Sequence, residues 1–327
     1  MEKFNVSSGW KNRVTEILGS AFPILLGPMR LITLGEMAAA VSNNGGFGQV
    51  AASGLPGDRL RSELKLAKQQ TDRPIGINIP IYRPNAQEAL EIAIEMGIKT
   101  ITTSAGNPAK MMDRIKGAGL KVFHKVSSEN MAKKAEAAGV DGVIAMGFEA
   151  GGHIGRESIT TMCLVPQLVD ALKIPVIASG GIADARGVVA AFALGAQGVE
   201  MGTRFVATPE CPVPEYFREG VRSAACDATL LLGKGAMPSR VLRNQLTEYL
   251  AERQGGEQDK EALKEFDSKY VKLGGDKDTA VMPCGQIAGL IKQIEAIGEI
   301  FSGITRDAKS ISHRLGTFFN GGNISTL

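Results

Sequence analysis

Histidine, cysteine and tryptophan are all scarce in this chain of 327 residues, which has three, four and one of them. The cysteines, Cys163, Cys211, Cys226 and Cys284, lie far apart, with no CxxC pair and no Cys/His spacing suited to a metal. Reduced thiols and no metal centre are therefore expected. Aromatic residues make up only 5%, and the formal charge of +3 is spread without a basic stripe, which argues against a nucleic-acid partner. No apolar run approaches the ~18 residues of a membrane span. The opening "MEKFNVSSGWKNRVTEILG" has no apolar core of the secretory kind, so a cytoplasmic protein is expected. What the chain does have is glycine, 40 residues of it, beside a hydrophobic content of 44% that can fill one large core.

Short apolar runs, rich in β-branched residues, recur at 22–29, 47–53, 74–79, 100–105, 121–127, 142–148, 175–181 and 198–205. Most are continuous rather than alternating, as strands buried on both faces must be. Between them lie amphipathic stretches that close at glycine, among them "TLGEMAAAVSNNGG" with a threonine cap, "AQEALEIAIEMG", "PAKMMDRIKGAG" and "SENMAKKAEAAG". This period predicts a (β/α)8 TIM barrel. A doubly wound sheet is the alternative, but "GPMRLI" after the first strand is not the GxGxxG turn such a fold would carry.

Past the eighth run the regularity breaks. Residues 210–280 read as a helical cap inserted between strand 8 and the closing helix, with a helix expected over "SRVLRNQLTEYLAER". The polar stretch 253–278 leaves a disordered linker as the alternative there. Helical periodicity resumes in "GQIAGLIKQIEAIGEIFSGI", so the barrel is expected to comprise 1–209 and 281–327.

In such a barrel chemistry gathers at the C-terminal strand ends. Strand 1 ends at Gly27-Pro28-Met29, strand 3 at Asn78 and strand 5 at His124-Lys125. Strand 7 ends at Ser179-Gly180-Gly181, and strand 8 at Met201-Gly202-Thr203. Small residues after strands 7 and 8 leave backbone N–H groups able to meet a phosphate, with the Ser179 and Thr203 hydroxyls as further donors. The plain alternative is a pair of tight turns. Were the phosphate part of a flavin mononucleotide, Lys125 could hold negative charge on the ring and Asn78 could bond its pyrimidine edge. His124 faces away from Lys125 on an alternating strand and reads as structural. His153, in "FEAGGHIGR" after strand 6, is the acid/base candidate: its reference pKa of ~6.5 suits proton transfer near neutrality, and Gly151, Gly152 and Gly155 leave room around the ring. His313 reads as structural or exposed.

The ordered set "AAAVSNNGGFG", "GINI", "TTSAGNPAK", "GFEAGGHIG", "PVIASGGIAD" and "MGTRF" resembles the nitronate monooxygenase family, whose superfamily includes the flavin-dependent enoyl-ACP reductases of the second type. The resemblance spans about Val14 to Phe205 and returns at "GQIAGLI". It implies a TIM barrel with non-covalent FMN. Met29 and Asn78 would meet the flavin ring, with Lys125 beside it. Gly152, Ser179, Gly180, Gly181, Met201, Gly202 and Thr203 would line the phosphate and ribityl path. His153 would be the active-site base, and Gln286 would help close the pocket. Two activities follow from the resemblance. One is oxidation of alkyl nitronates by O2 to a carbonyl compound and nitrite. The other is NAD(P)H-dependent reduction of an enoyl thioester, on an acyl carrier protein for instance, or of a quinone. A homodimer is the oligomer expected of such barrels.

Overall fold

The computed structural model describes residues 9–233, 238–253 and 275–321. Eight parallel strands, β1 (Ile24–Leu26), β2 (Gly48–Ala51), β3 (Ile75–Pro80), β4 (Thr100–Ser104), β5 (Lys121–Val126), β6 (Gly142–Met146), β7 (Val176–Ser179) and β8 (Gly198–Met201), stand in the order 1-8-7-6-5-4-3-2. The sheet closes on itself at β1, where Leu26 N–H donates to the Phe47 carbonyl at 3.0 Å and Phe47 N–H to that of Ile24 at 2.9 Å. The result is the TIM-barrel architecture that the strand–helix period predicts.

Burial explains why the strand runs are continuous. Every residue of β3, β7 and β8 is buried, because helices cover the outside and side chains fill the inside. The lower interior is plugged by Leu25, Phe47, Phe123, Ile144 and Ile177. The short helix Arg13–Leu18 seals that end with Val14 and Leu18, and Asn12 caps it by accepting from the Thr15 N–H at 3.0 Å. With the bottom filled, the open space is at the C-terminal strand ends.

Four local expectations are corrected. The 198–205 run is strand only to Met201, and Thr203–Val206 turns into helix. Thr33 is not the cap of the helix Gly35–Asn43, which Leu34 precedes; its hydroxyl instead accepts from the Met29 N–H at 3.0 Å and holds the turn after β1. "SRVLRNQLTEYLAER" is not one helix. Ser239–Leu242 is a strand between Thr229–Leu232 and the two-residue strand Gly152–His153, and the helix Gln245–Glu252 starts only after Asn244 caps it. Residues 210–280 thus contribute two strands of a three-stranded antiparallel sheet as well as helices. "GQIAGLIKQIEAIGEIFSGI" is also broken, into a 3-10 turn Gln286–Leu290 and the long helix Ile297–Phe319 that carries the exposed His313. Most of the charged stretch 253–278, residues 254–274, lies outside the described residues. No described helix is long and apolar enough to cross a membrane.

Candidate active site

A cavity of about 320 Å³ opens at the C-terminal strand ends. Met29, Asn78, Lys125, Gly152, His153, Ser179, Gly180, Gly181, Met201, Gly202 and Thr203 all line it, so the structure collects in one place residues that the sequence scatters over six strand ends. Gln286 does not join them. Its side chain is exposed, its backbone N–H donates to the Glu149 carbonyl at 2.9 Å, and the wall there is made by Gly285 and Ile287 on either side.

The polar floor is a relay across the first four strands. Asn78 Nδ2 donates to Thr102 Oγ1 at 2.9 Å, Thr102 Oγ1 to Gln49 Oε1 at 2.6 Å, and Gln49 Nε2 to the Leu26 carbonyl at 2.7 Å. All three side chains are buried, so each needs such a partner, and the relay fixes which way the Asn78 amide is turned.

On the opposite strands Lys125 is ion-paired with Glu200 on β8, and Ser179 Oγ donates to the same Glu200 Oε1 at 2.9 Å. Glu200 is 2% exposed, and its second oxygen, Oε2, is buried with no hydrogen-bond partner. A bare carboxylate oxygen in such a place is costly unless a donor arrives. The Lys125 ammonium is therefore not a lone positive charge at the cavity edge, because Glu200 compensates it. Sequence reasoning missed Glu200. Its one signal is an acidic residue inside the otherwise apolar run "GVEM".

Small residues meet at the ends of β7 and β8. Gly180 and Gly181 hold φ of 95° and 74°, the left-handed region that glycine favours. Thr203 Oγ1 accepts from the Gly285 N–H at 2.9 Å, and the Thr161 hydroxyl donates to the Gly180 carbonyl at 2.9 Å. The loop after β6 is tied to this cradle through Glu149, whose carboxylate accepts the Thr161 N–H at the start of the helix Thr161–Ala171.

His153 does not sit in a loose turn. It pairs with Ser239 and Gly152 with Arg240 in the antiparallel sheet, and Ile154 N–H donates to the Pro238 carbonyl at 2.9 Å. Arg240, 3% exposed, donates from Nε and Nη2 to the Phe148 carbonyl at 3.2 and 2.9 Å and lies 4.7 Å from the centre of the Phe148 ring. Burial lowers the pKa of this guanidinium, and Glu149 opposes that shift. No local pattern announces Arg240, since its partners come from the β6 loop. The glycines beside His153 also serve contact: a Cβ on Gly151 would come within 2.6 Å of the Gly285 nitrogen, so the loop packs backbone to backbone on the segment before the last helix.

His124 is buried against Thr103, with Nδ1 and Oγ1 2.8 Å apart, outside the cavity wall. Burial pushes its pKa down to about 4, against a smaller upward pull from a backbone hydrogen bond to Gly106. The folded chain therefore refuses a proton that the unfolded chain accepts near pH 6.5, and protons favour unfolding between the two values. Stability is expected to fall by roughly 2–3 kcal/mol between pH 7 and 4.5 from this group alone. Urea midpoints at the two pH values should show the loss in the native chain and a smaller one in His124→Gln. Equal losses would remove His124 as the cause.

All four cysteines are free thiols, and burial pushes Cys211 and Cys284 up to about 12, where they stay protonated. Among the described residues no group of three or more His, Cys, Asp or Glu side chains is arranged to hold a metal ion.

The residues fit a flavin. The cradle after β7 and β8 is glycine where a Cβ on Gly180 would approach the Ala150 nitrogen to 3.0 Å, and the unpartnered Glu200 Oε2 is an acceptor for the O–H and N–H donors that a ribityl chain and a flavin ring carry.

Comparison with known proteins agrees with this geometry. Residues 11–307 match the family described as nitronate monooxygenase. A Mycobacterium tuberculosis protein named (3aS,4S,5R,7aS)-5-hydroxy-7a-methyl-1-oxo-octahydro-1H-indene-4-carboxyl-CoA dehydrogenase is 34% identical, over 72% of this chain and 67% of its own length. A probable nitronate monooxygenase of Staphylococcus saprophyticus is 32% identical, over 73% and 81%. Among solved structures, FabK from Thermotoga maritima is 37% identical with a TM-score of 0.91, covering 94% of this chain and 99% of that one.

Proposed function

The chain belongs to the nitronate monooxygenase family, and from that premise we propose that its cavity holds FMN and oxidises alkyl nitronates with O2 to a carbonyl compound and nitrite. It is a flavin-dependent oxidoreductase. The observation that carries the reading is His153, pinned by its own strand pairing on the wall of the same cavity as the glycine cradle of β7 and β8.

FMN, when bound, supplies a reversible electron acceptor that can pass electrons on to O2. The protein's share is binding, orientation and proton handling. The cradle at Gly180, Gly181, Gly202 and Thr203 takes the phosphate on backbone and hydroxyl donors. Asn78, its amide set by the Thr102–Gln49 relay, meets the edge of the ring. Lys125 stabilises negative charge beside it, tempered by Glu200. His153 takes the proton from the carbon next to the nitro group of a neutral nitroalkane, and as imidazolium it holds the resulting nitronate. Two nitronates and one O2 then balance as two carbonyl compounds and two nitrite ions.

A second reading has its own support, the 37% identity with FabK along nearly the whole chain and the 34% identity with a protein named for a CoA thioester. FabK is an enoyl-ACP reductase of the second type. On that reading NADH or NADPH is the electron donor, an enoyl thioester the acceptor, and His153 the proton source near the thioester. Anaerobic mixing separates the two. Under the first reading a nitronate bleaches the flavin within one turnover, NADH and NADPH bleach it slowly, and nitrite forms when air is admitted. Rapid bleaching by a nicotinamide nucleotide, with no nitrite from nitronate in air, would discard the monooxygenase in favour of the reductase.

A further inference from the structure

The wall of the cavity also carries arginines to which the flavin reading assigns no role. In an eight-strand ring β3 stands four places from β7 in either direction, so the loop after β3 faces the phosphate cradle across the mouth. That loop contributes Tyr82 and Arg83 to the wall, and the loop after β1 contributes Arg30. Among the described residues the carboxylates on the wall are Glu149 and Glu200, which belong to the β6 loop and β8, and Glu200 is paired with Lys125. None stands on the loops after β1 to β4.

Arg83 is built in rather than left hanging. Its backbone N–H donates to the Pro80 carbonyl at 3.1 Å, and its own carbonyl accepts from Ala86 at 3.0 Å, which fixes the turn. Its guanidinium carbon lies 4.9 Å from the centre of the Tyr82 ring, a contact that orients the fork without consuming its N–H donors. Its Nε is buried and without a hydrogen-bond partner. An unmet donor of a permanently charged group, beside open space, points to an acceptor that arrives with the ligand. Arg30 has a prepared seat as well: a Cβ on Gly54 would fall 2.6 Å from its Nε, so only glycine there lets the guanidinium lie against the loop after β2.

We propose that Arg83, with Arg30, is a second anion site that takes the phosphate-bearing tail of a nucleotide-type ligand entering the mouth. The chemistry required is a phosphate or pyrophosphate tied to a group long enough to reach the reacting centre. A planar fork matches phosphate oxygens in pairs, and a small nitronate has nothing to place there. The tail belongs either to a nicotinamide nucleotide or to a CoA-type thioester. The assignment thus rests on the reductase reading of the same cavity.

Titration calorimetry on the flavin-loaded protein tests it without turnover. Three probes are used: 2′,5′-ADP for the NADPH tail, 3′,5′-ADP for the CoA tail, and inorganic pyrophosphate for the shared chemistry. The native protein is expected to bind pyrophosphate and at least one bisphosphate, the tighter one naming the source. Arg83→Ala should weaken that binding tenfold or more, with Arg83→Lys in between, while the bound flavin spectrum stays unchanged. Absence of binding by all three probes, or equal affinity in Arg83→Ala, overturns the site. Loss of flavin from Arg83→Ala also overturns it, because the arginine would then serve the cofactor. If instead the site binds its probes as expected but NADH, NADPH and thioesters give no reaction, the reductase reading fails while the anion site stands.

Discussion

Replacing His153 with alanine is expected to leave a yellow, flavin-loaded protein that turns over a neutral nitroalkane at least about 100-fold more slowly. Removal of a positioned general base costs two to four orders of magnitude in systems of this kind. The flavin should stay, because the cradle at Gly180, Gly181, Gly202 and Thr203 does not use the imidazole. The fold should hold too, since the pairing of residue 153 with Ser239 is made by backbone. Substrate choice makes the test specific. A nitronate formed in advance has already lost its proton, so His153→Ala should handle it far better than the neutral nitroalkane. Equal losses on both would make the histidine a binding group rather than a base. No loss on either would return it to a structural part of the antiparallel sheet.

Flavin retention is where Gly180→Ala should act. With φ at 95°, a side chain at this position is strained before any contact is counted, at about 1 kcal/mol or more. The added Cβ also meets the Ala150 nitrogen at 3.0 Å and the Gly147 carbonyl oxygen at 3.1 Å. Both neighbours are backbone, so relief must move either the β7 end or the β6 loop, and with it the cradle. The variant is expected to purify largely colourless, with flavin affinity lowered tenfold or more by fluorescence titration. A matched control is Gly316→Ala in the exposed part of the last helix, where an added Cβ meets nothing within 4 Å. That change should keep the flavin and stabilise the helix by up to about 1 kcal/mol. Full flavin occupancy in Gly180→Ala would mean the phosphate is held elsewhere.

The barrel was legible because its strands are buried on both faces. Such strands must be continuous apolar runs, and most helices between them close at a left-handed glycine, as at Gly97, Gly119 and Gly139, so the period survives in one dimension. Residues 210–280 were less legible. Ser239–Leu242 is four residues long, and its partners come from Thr229–Leu232 and Gly152–His153, so no local period marks it as strand. The helix after it begins only where Asn244 and Thr247 form a capping box. Gln286 shows the same limit. Its neighbours Gly285 and Ile287 face the cavity while its own side chain points to solvent, a choice made by a short 3-10 turn.

The sequence alone determined the barrel period, the small residues at the ends of β7 and β8, and the histidine after β6. These are properties of residue type and spacing along one stretch of chain, and neighbours in sequence enforce them. Tertiary structure alone decided that Glu200 compensates Lys125, that Arg240 and Ser239 clamp the His153 loop, and that Arg83 faces the cradle across the mouth. Charge and hydrogen bonding in a buried site depend on which distant segments share the same low-dielectric space. That is fixed only when the ring of strands closes.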